Sequence, residues 1–251
     1  MSEPSRTNSK VKALSNVARI LYGLAILGFA TQYLIYATRH QGPIPGPPWT
    51  PGNVVFAYLL TLFLFVTGAS LVANKMPRVS AGLLAVLFLV RFAFMHLPKV
   101  LAHLHDPGPW TSGFEILALA GGALVLASDQ KPGFLTTVGS ICVAALLVVV
   151  GVQHFMYAKF VSTLVPAWMP SRLFLAYLVG VGFFATAASL LTRVLTRFAA
   201  VLQGIVFAIF VVTLHIPRVV ATPHGGNEWT SLFVAVAMTA TSFALAVASP
   251  K

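Results

Sequence analysis

The sequence contains very few acidic residues and a single cysteine. Five Asp and Glu stand against 16 Lys and Arg in 251 residues, and charged residues of both signs make up only 8% of the chain. Soluble domains carry about 25% charged residues. The lone Cys142 excludes an internal disulfide and Cys-x-x-Cys redox chemistry. A Walker loop, a Gly-x-Gly-x-x-Gly before a helix and a His-Glu-x-x-His pair are also missing, so no nucleotide or zinc-peptidase motif indicates a function.

Apolar sequence is what the chain has in excess. Hydrophobic residues make up 58% of it, more than a soluble fold of this length is able to bury. A membrane-spanning helix needs about 20 mostly apolar residues. We therefore predict an all-α, polytopic membrane helix bundle with the lipid bilayer as its surroundings. The eight predicted transmembrane helices are 17–37, 53–73, 80–97, 112–128, 134–157, 172–191, 198–216 and 230–248.

The basic residues are divided unevenly between the two sides of this predicted bundle. Ten Lys and Arg fall in the N-terminus, in the loops after helices 2, 4 and 6, and at the C-terminus, whereas five fall on the opposite side. The positive-inside rule then predicts that both termini are cytoplasmic. Because the net charge of +11 lies in these short loops, we expect no nucleic-acid partner. The four tryptophans fall on the outer side, where Trp anchors helices at the interface: Trp49, Trp110, Trp168 and Trp229.

The two halves of the chain resemble each other at a fixed offset of 119 residues. Over positions 47 to 118, 25 of 72 residues are identical to those 119 positions later. Each copy contains four predicted helices, so both copies start on the same side of the membrane and form parallel repeats. The predicted organisation is a cytoplasmic tail (1–16), a first four-helix repeat (17–130) and a second four-helix repeat (131–251).

Polar residues that both copies retain are the candidates for a ligand site. We predict that they line one cavity in the outer half of the bundle, at the interface between the repeats. An amide group in hydrocarbon needs a partner, so the two glutamines serve either as hydrogen bonds between helices or as polar groups of that cavity. The candidate ligand-binding residues are Gln32, Tyr36, His96, Gln153, Tyr157 and His215.

Histidines are concentrated on the outer side as well. His96 and His215 each stand two residues before a proline, which predicts that the helix ends there and leaves the imidazole at its C-terminus. Imidazole binds zinc, copper or iron, but the spacing matches no metal motif. Haem ligation, or hydrogen bonds that cap helices, are the alternatives. The candidate metal ligands are His96, His105, His215 and His224, to which His103 and His154 could be added.

One pair of charged residues breaks the symmetry between the copies. Arg91 and Glu115 lie inside apolar segments at similar predicted depths, and the corresponding residues of the second copy are Phe210 and Val234. Both charges are present in one copy and both are absent from the other, which predicts an intramembrane ion pair. Charges within the membrane are candidates for a functional site. Glu115 is the only carboxylate at depth, whereas proton and cation transporters usually have more.

The four-helix unit resembles the DoxX-like family of membrane proteins. The resemblance lies in the Pro- and Trp-containing outer loop Pro47-Pro48-Trp49-Thr50-Pro51, in the small residues Thr67-Gly68-Ala69-Ser70 that end the second helix, and in the histidines of the third helix and its outer loop. It covers about 17 to 128 and again 134 to 249. It implies a bacterial inner-membrane protein, and some members of the family resemble a thiosulfate:quinone oxidoreductase subunit.

Three hypotheses about function follow. The first is an accessory or small-molecule-binding component of a redox or envelope system. The second is an oxidoreductase subunit that handles quinone, with histidine and tyrosine as proton-transfer groups. The third is a transporter of a small solute, which the repeat and the charge pair favour. Quinone is a possible cofactor under the second hypothesis, with metal or haem as weaker candidates, and another membrane protein is a possible partner.

Overall fold

The computed structural model describes residues 3–39 and 54–249, and within them the ordered structure is helical, with no strand. Residues 40–53, with Trp49 and most of the proline-rich outer loop, lie outside the described part. So do the chain ends and a few side chains of the helix 3–39, Tyr36 among them. The helices are α1 (Glu3–Arg39), α2 (Val54–Ala73), α3 (Pro77–Arg91), α4 (Leu97–Ala102), α5 (Pro107–Ala127), α6 (Phe134–Met156), α7 (Ala158–Leu164), α8 (Arg172–Thr192), α9 (Thr196–Phe210), α10 (Ile216–Ala221) and α11 (Gly226–Ala248), and the π-helical turns are π1 (Phe92–His96) and π2 (Val211–His215).

The described residues contain eight helical segments long and apolar enough to cross a membrane. Six are single helices, while α3–π1–α4 and α9–π2–α10 each form one continuous span of 26 residues. The predicted polytopic all-α bundle is therefore confirmed. Residues 3–16, which were predicted to belong to a cytoplasmic tail, are part of α1. Large apolar side chains on the outside, such as Leu59 and Phe174, suit contact with lipid.

Two prolines account for the π-helical turns. Proline has no N–H, and its ring clashes with the carbonyl four residues earlier in an α-helix. At Pro98 the chain avoids this clash by widening the preceding turn, so that the Leu97 N–H bonds to the Phe92 carbonyl five residues back. Ile216 bonds to Val211 in the same way before Pro217. The prediction that each helix ends at its histidine is thus wrong, since the helices continue to Ala102 and Ala221.

Small residues allow the closest helix contacts. A Cβ atom added at Gly23 of α1 would lie 2.9 Å from the Gly68 carbonyl of α2, and one at Gly121 of α5 would lie 2.7 Å from the Gly139 carbonyl of α6. Small residues bring backbones together in this way in membrane helix pairs. The helices α5 and α11 pack against each other and have the most buried spans of the eight, 50% and 67%. They form the centre of the bundle.

Helix bounds and left-handed backbone positions recur in the two halves at the offset of 119 residues found in the sequence. The bounds of α3, π1 and α4 reappear 119 residues later as those of α9, π2 and α10. Left-handed backbone at Asn74 and Met76 recurs at Arg193 and Leu195. The connection between α6 and α8 contains the short helix α7, and the matching connection of the first half lies outside the described residues.

Candidate functional site

A cavity of about 420 Å³ lies in the first half of the bundle, near the end formed by the connections 103–106 and 222–225, which we call the histidine end. It is enclosed by α1, α2, the α3–π1–α4 span, α5 and α11, and we call it the first cavity. Its charged and titratable lining residues come mainly from the α3–π1–α4 span. The polar lining residues are Gln32, Tyr33, Arg91, His96, Lys99, Ser112, Glu115, Asn227 and Thr230.

A larger cavity of about 790 Å³, the second cavity, lies in the other half. It is enclosed by α5, α6, α7, α8, the α9–π2–α10 span and α11. Its wall is largely apolar and includes the aromatic residues Phe160, Phe183, Phe207 and Phe210. Its polar lining residues are Thr111, Glu115, Gln153, His154, Tyr157, Thr213, His215 and Ser231.

The residues predicted to share one cavity are divided between these two. Gln32 and His96 line the first, whereas Gln153, Tyr157 and His215 line the second. The prediction of a single cavity between the repeats is therefore wrong, because the central pair α5 and α11 runs between the two spaces. The side chain of Tyr36 lies outside the described part of the chain.

Glu115 of α5 and Val234 of α11 stand at the boundary between the cavities, because each lines both. They are 119 residues apart and so occupy corresponding positions in the two halves. The wall between the cavities thus has a carboxyl group on one helix and an isopropyl group at the matching position of the other.

The two glutamines form matching hydrogen bonds between the halves. The Gln32 amide of α1 donates to the Gly226 carbonyl and to Thr230 Oγ1 of α11, both at 2.8 Å. Gln153 of α6 donates to the Pro107 carbonyl at 3.1 Å and accepts from Thr111 Oγ1 at 2.9 Å. Gln32 therefore joins α1 to the first turn of α11, and Gln153 joins α6 to the first turn of α5. Both side-chain amides are largely occupied by these protein partners.

His154 also lines the second cavity, although it was not among the predicted ligand-binding residues. Its Nδ1 lies 2.7 Å from the Val150 carbonyl, and since a carbonyl only accepts, Nδ1 carries the proton. In a neutral imidazole Nε2 is then an acceptor. The ring stands edge-on to Phe183, with centroids 5.0 Å apart. The sequence offered one signal for this role, because His154 directly follows the predicted ligand-binding residue Gln153. The corresponding residue of the first half, Tyr33, lines the first cavity.

The histidines proposed as metal ligands are not brought together. His96 and His215 line different cavities, and His105 and His224 are exposed in their connections. Among residues 3–39 and 54–249 there is no group of three or more His, Cys, Asp or Glu placed to hold a metal ion. Both helices continue beyond the imidazoles to Ala102 and Ala221, which separates His96 and His215 from the connections by a further helical turn.

The predicted ion pair between Arg91 and Glu115 is not formed. The salt bridges of the described residues are Arg78–Asp129, Lys131–Asp129 and Arg218–Glu228. The Arg91 guanidinium lies instead over the Tyr33 ring of α1, with its central carbon 5.8 Å from the ring centroid. Both charged residues line the first cavity, so they face a common space rather than each other.

The histidine end also differs in charge between the halves. Arg218 pairs with Glu228 at 3.7 Å and does not line the second cavity. Lys99, at the corresponding position, lines the first cavity and forms no salt bridge within the described residues. The position that matches Glu228 is Pro109, which explains why Lys99 has no carboxylate beside it.

Comparison with known proteins adds no assignment to these sites. No family model, no curated protein and no solved structure matches the chain.

Proposed function

We propose that this protein binds a quinone-class ligand in the second cavity. The observation that carries the proposal is a space of about 790 Å³ with a largely apolar wall, which includes Phe183, Phe207 and Phe210, and with a few polar groups. Ligand sites in proteins have volumes of about 300–1,000 Å³ and the same mixture of apolar wall and few polar groups. A quinone ring is flat and apolar, so it suits packing against Phe183, Phe207 and Phe210.

Three polar groups of the second cavity match the oxygens of such a ring. The Tyr157 hydroxyl and the His215 imidazole have no hydrogen-bond partner among residues 3–39 and 54–249, and Nε2 of His154 is an acceptor. A quinone carbonyl accepts from the Tyr157 hydroxyl or a ring N–H, while a quinol hydroxyl donates to His154 Nε2. The same groups therefore suit both redox states of the ligand.

The setting we propose is the bacterial inner membrane, with both termini in the cytoplasm and the histidine end outside. The excess of Lys and Arg on the terminal side supports this orientation. We also propose that the chain is a tandem duplication of a DoxX-like four-helix unit. The repeated bounds, the repeated left-handed residues and the matching glutamine bonds support the duplication.

Binding is tested on the full chain in detergent with a decyl-substituted benzoquinone, by equilibrium dialysis. We expect saturable binding to the wild type and at least tenfold weaker binding to His215→Ala. His96→Ala is the matched control, because it removes the corresponding imidazole from the first cavity and is expected to leave the affinity unchanged. Wild-type protein that does not bind the quinone, or equal losses in both variants, would contradict the proposal.

We propose an oxidoreductase subunit as the second candidate function. The presence of the His154 imidazole and the Tyr157 hydroxyl in the second cavity supports it, because such groups transfer protons. In that case the protein with a decyl-substituted benzoquinol would reduce a soluble dye, and the benzoquinone would accumulate in equal amount. His154→Phe would abolish the dye reduction while retaining most of the binding. Binding without dye reduction favours an accessory role.

A further inference from the structure

The first cavity differs from the second in charge, although corresponding spans of the two halves contribute to both, α3–π1–α4 to the first and α9–π2–α10 to the second. Arg91 ends α3 and Lys99 lies in α4, and the π1 turn between them lets His96 line the cavity as well. At the positions that correspond to Arg91 and Glu115, the second cavity has Phe210 and Val234. The bundle therefore does not need charged residues at these positions in order to pack.

The cations of the first cavity have no acidic partner within the described part of the chain. Nε of Arg91 is buried without a hydrogen bond, and the contact found for its guanidinium is the Tyr33 ring. Neither Arg91 nor Lys99 takes part in the three salt bridges. A buried guanidinium N–H without a hydrogen-bond acceptor is unfavourable, and two cations without a carboxylate partner favour an anionic occupant.

The neutral groups of the cavity narrow the chemistry of that occupant. The Gln32 amide already bonds to Gly226 and Thr230, whereas Arg91 and Lys99 are the charged donors of the cavity. Arginine and lysine both bind phosphate oxygens, arginine with two parallel bonds. The Glu115 carboxyl has no hydrogen bond among residues 3–39 and 54–249 and is available to an amine or hydroxyl.

From this arrangement we infer that the first cavity binds a phosphate ester with an amine or hydroxyl group close to the phosphate. Arg91 and Lys99 bind the phosphate, and Glu115 accepts from the amine or hydroxyl. The volume of about 420 Å³ suits the size of such a group. A phospholipid headgroup and a soluble phosphate ester share this chemistry. The site is independent of the quinone proposal, because the phosphate-binding residues Arg91 and Lys99 line the first cavity and not the second.

The test uses two ligand sources on the same purified full chain. O-phosphoethanolamine is titrated as the soluble source, with ethanolamine as the phosphate-free control, and phospholipid retained through purification is identified by native mass spectrometry. The variant Arg91→Phe with Glu115→Val is expected to fold, because it introduces the residues that the second cavity has at these positions. Arg91→Gln is a second variant that keeps a polar side chain, and Arg78→Gln removes a cation from the opposite end of the bundle.

We expect one of two supporting results. Either O-phosphoethanolamine binds to the wild type and at least tenfold more weakly to both Arg91 variants, which indicates a soluble ester, or a phospholipid is retained by the wild type and lost from both variants, which indicates a lipid headgroup. Arg78→Gln retains the ligand in each case. The inference is overturned if the wild type neither binds the probe nor retains phospholipid, or if the folded double variant matches the wild type.

Discussion

Nε2 of Gln32 lies 2.8 Å from Oγ1 of Thr230, although the two residues are separated by almost the whole chain. This bond joins the first spanning helix to the last. Its counterpart, from Thr111 Oγ1 to the Gln153 side chain at 2.9 Å, joins the fourth spanning helix to the fifth. The first helix of each half is thus bonded to the last helix of the other half.

Gln32→Leu is expected to destabilise the folded protein by about 1 kcal/mol, the usual magnitude of a hydrogen bond between membrane helices. Gln153→Leu should have a similar effect, because it breaks the corresponding bond. Reversible unfolding by SDS in mixed micelles measures the difference. Thr31→Val is the control, since Thr31 is exposed and bonds only to the Leu27 carbonyl of its own helix. Equal effects of Thr31→Val and Gln32→Leu would contradict this role.

Gly122→Ala is expected to destabilise the bundle by about 1–3 kcal/mol, as overpacking of a tight contact does. A Cβ atom at this position would lie 2.1 Å from Thr241 Oγ1 and 2.9 Å from the Tyr22 ring, so α5 would have to move from α11 or α1. The same SDS titration compares it with Gly82→Ala, where no atom lies within 4 Å of the new Cβ. A loss of stability at position 82 as large as that at 122 would disagree with the packing described above.

Pro217→Ala is expected to weaken quinone binding by at least fivefold with little loss of stability. Alanine restores the backbone N–H and removes the ring clash, so the turn at Val211–His215 is free to become α-helical. A one-residue change of register rotates His215 by about 100° around the helix axis and withdraws its ring from the second cavity. Equilibrium dialysis with the decyl-substituted benzoquinone measures the loss. Pro98→Ala makes the same change beside the first cavity and should leave quinone affinity unaltered.

Single cysteines are expected to report the orientation of the bundle. Cys142 is buried in α6 and 7% exposed, so the wild type should react little with a membrane-impermeant maleimide. Asp106→Cys, at the histidine end, should be labelled in intact bacterial cells, whereas Lys75→Cys, at the other end, should be labelled only after permeabilisation. Both positions are exposed. The opposite pattern would reverse the proposed topology.

The sequence predicted the spanning helices well, because their length and apolar composition depend on few long-range contacts. The α6 helix, predicted at 134–157, is observed at Phe134–Met156. The ends of helices near proline were predicted less well. A proline two residues after His96 ends a helix in most settings, but here the chain widens one turn and continues for six residues.

The candidate site was predicted as a set of residues but not as an arrangement. Gln32 and Gln153 were predicted to lie in the outer half of the bundle, and both possible roles, hydrogen bonds between helices and polar groups of a cavity, were left open. Their hydrogen bonds assign them to the contact between helices. Arg91 and Glu115 were expected to pair because both are absent from the other half. The structure offers another explanation for their joint absence from the second half, because both residues line the first cavity.

The sequence by itself determined that this protein is a bundle of membrane-spanning helices and which polar residues recur in its two halves, because apolar length and internal similarity are properties of the linear chain. Only the tertiary structure decided which of those residues meet. The helices α5 and α11 pack through the centre and divide one expected cavity into two, a larger one with a mostly apolar wall and one lined by Arg91 and Lys99. That division depends on contacts between helices far apart in the chain, which repeat spacing does not encode.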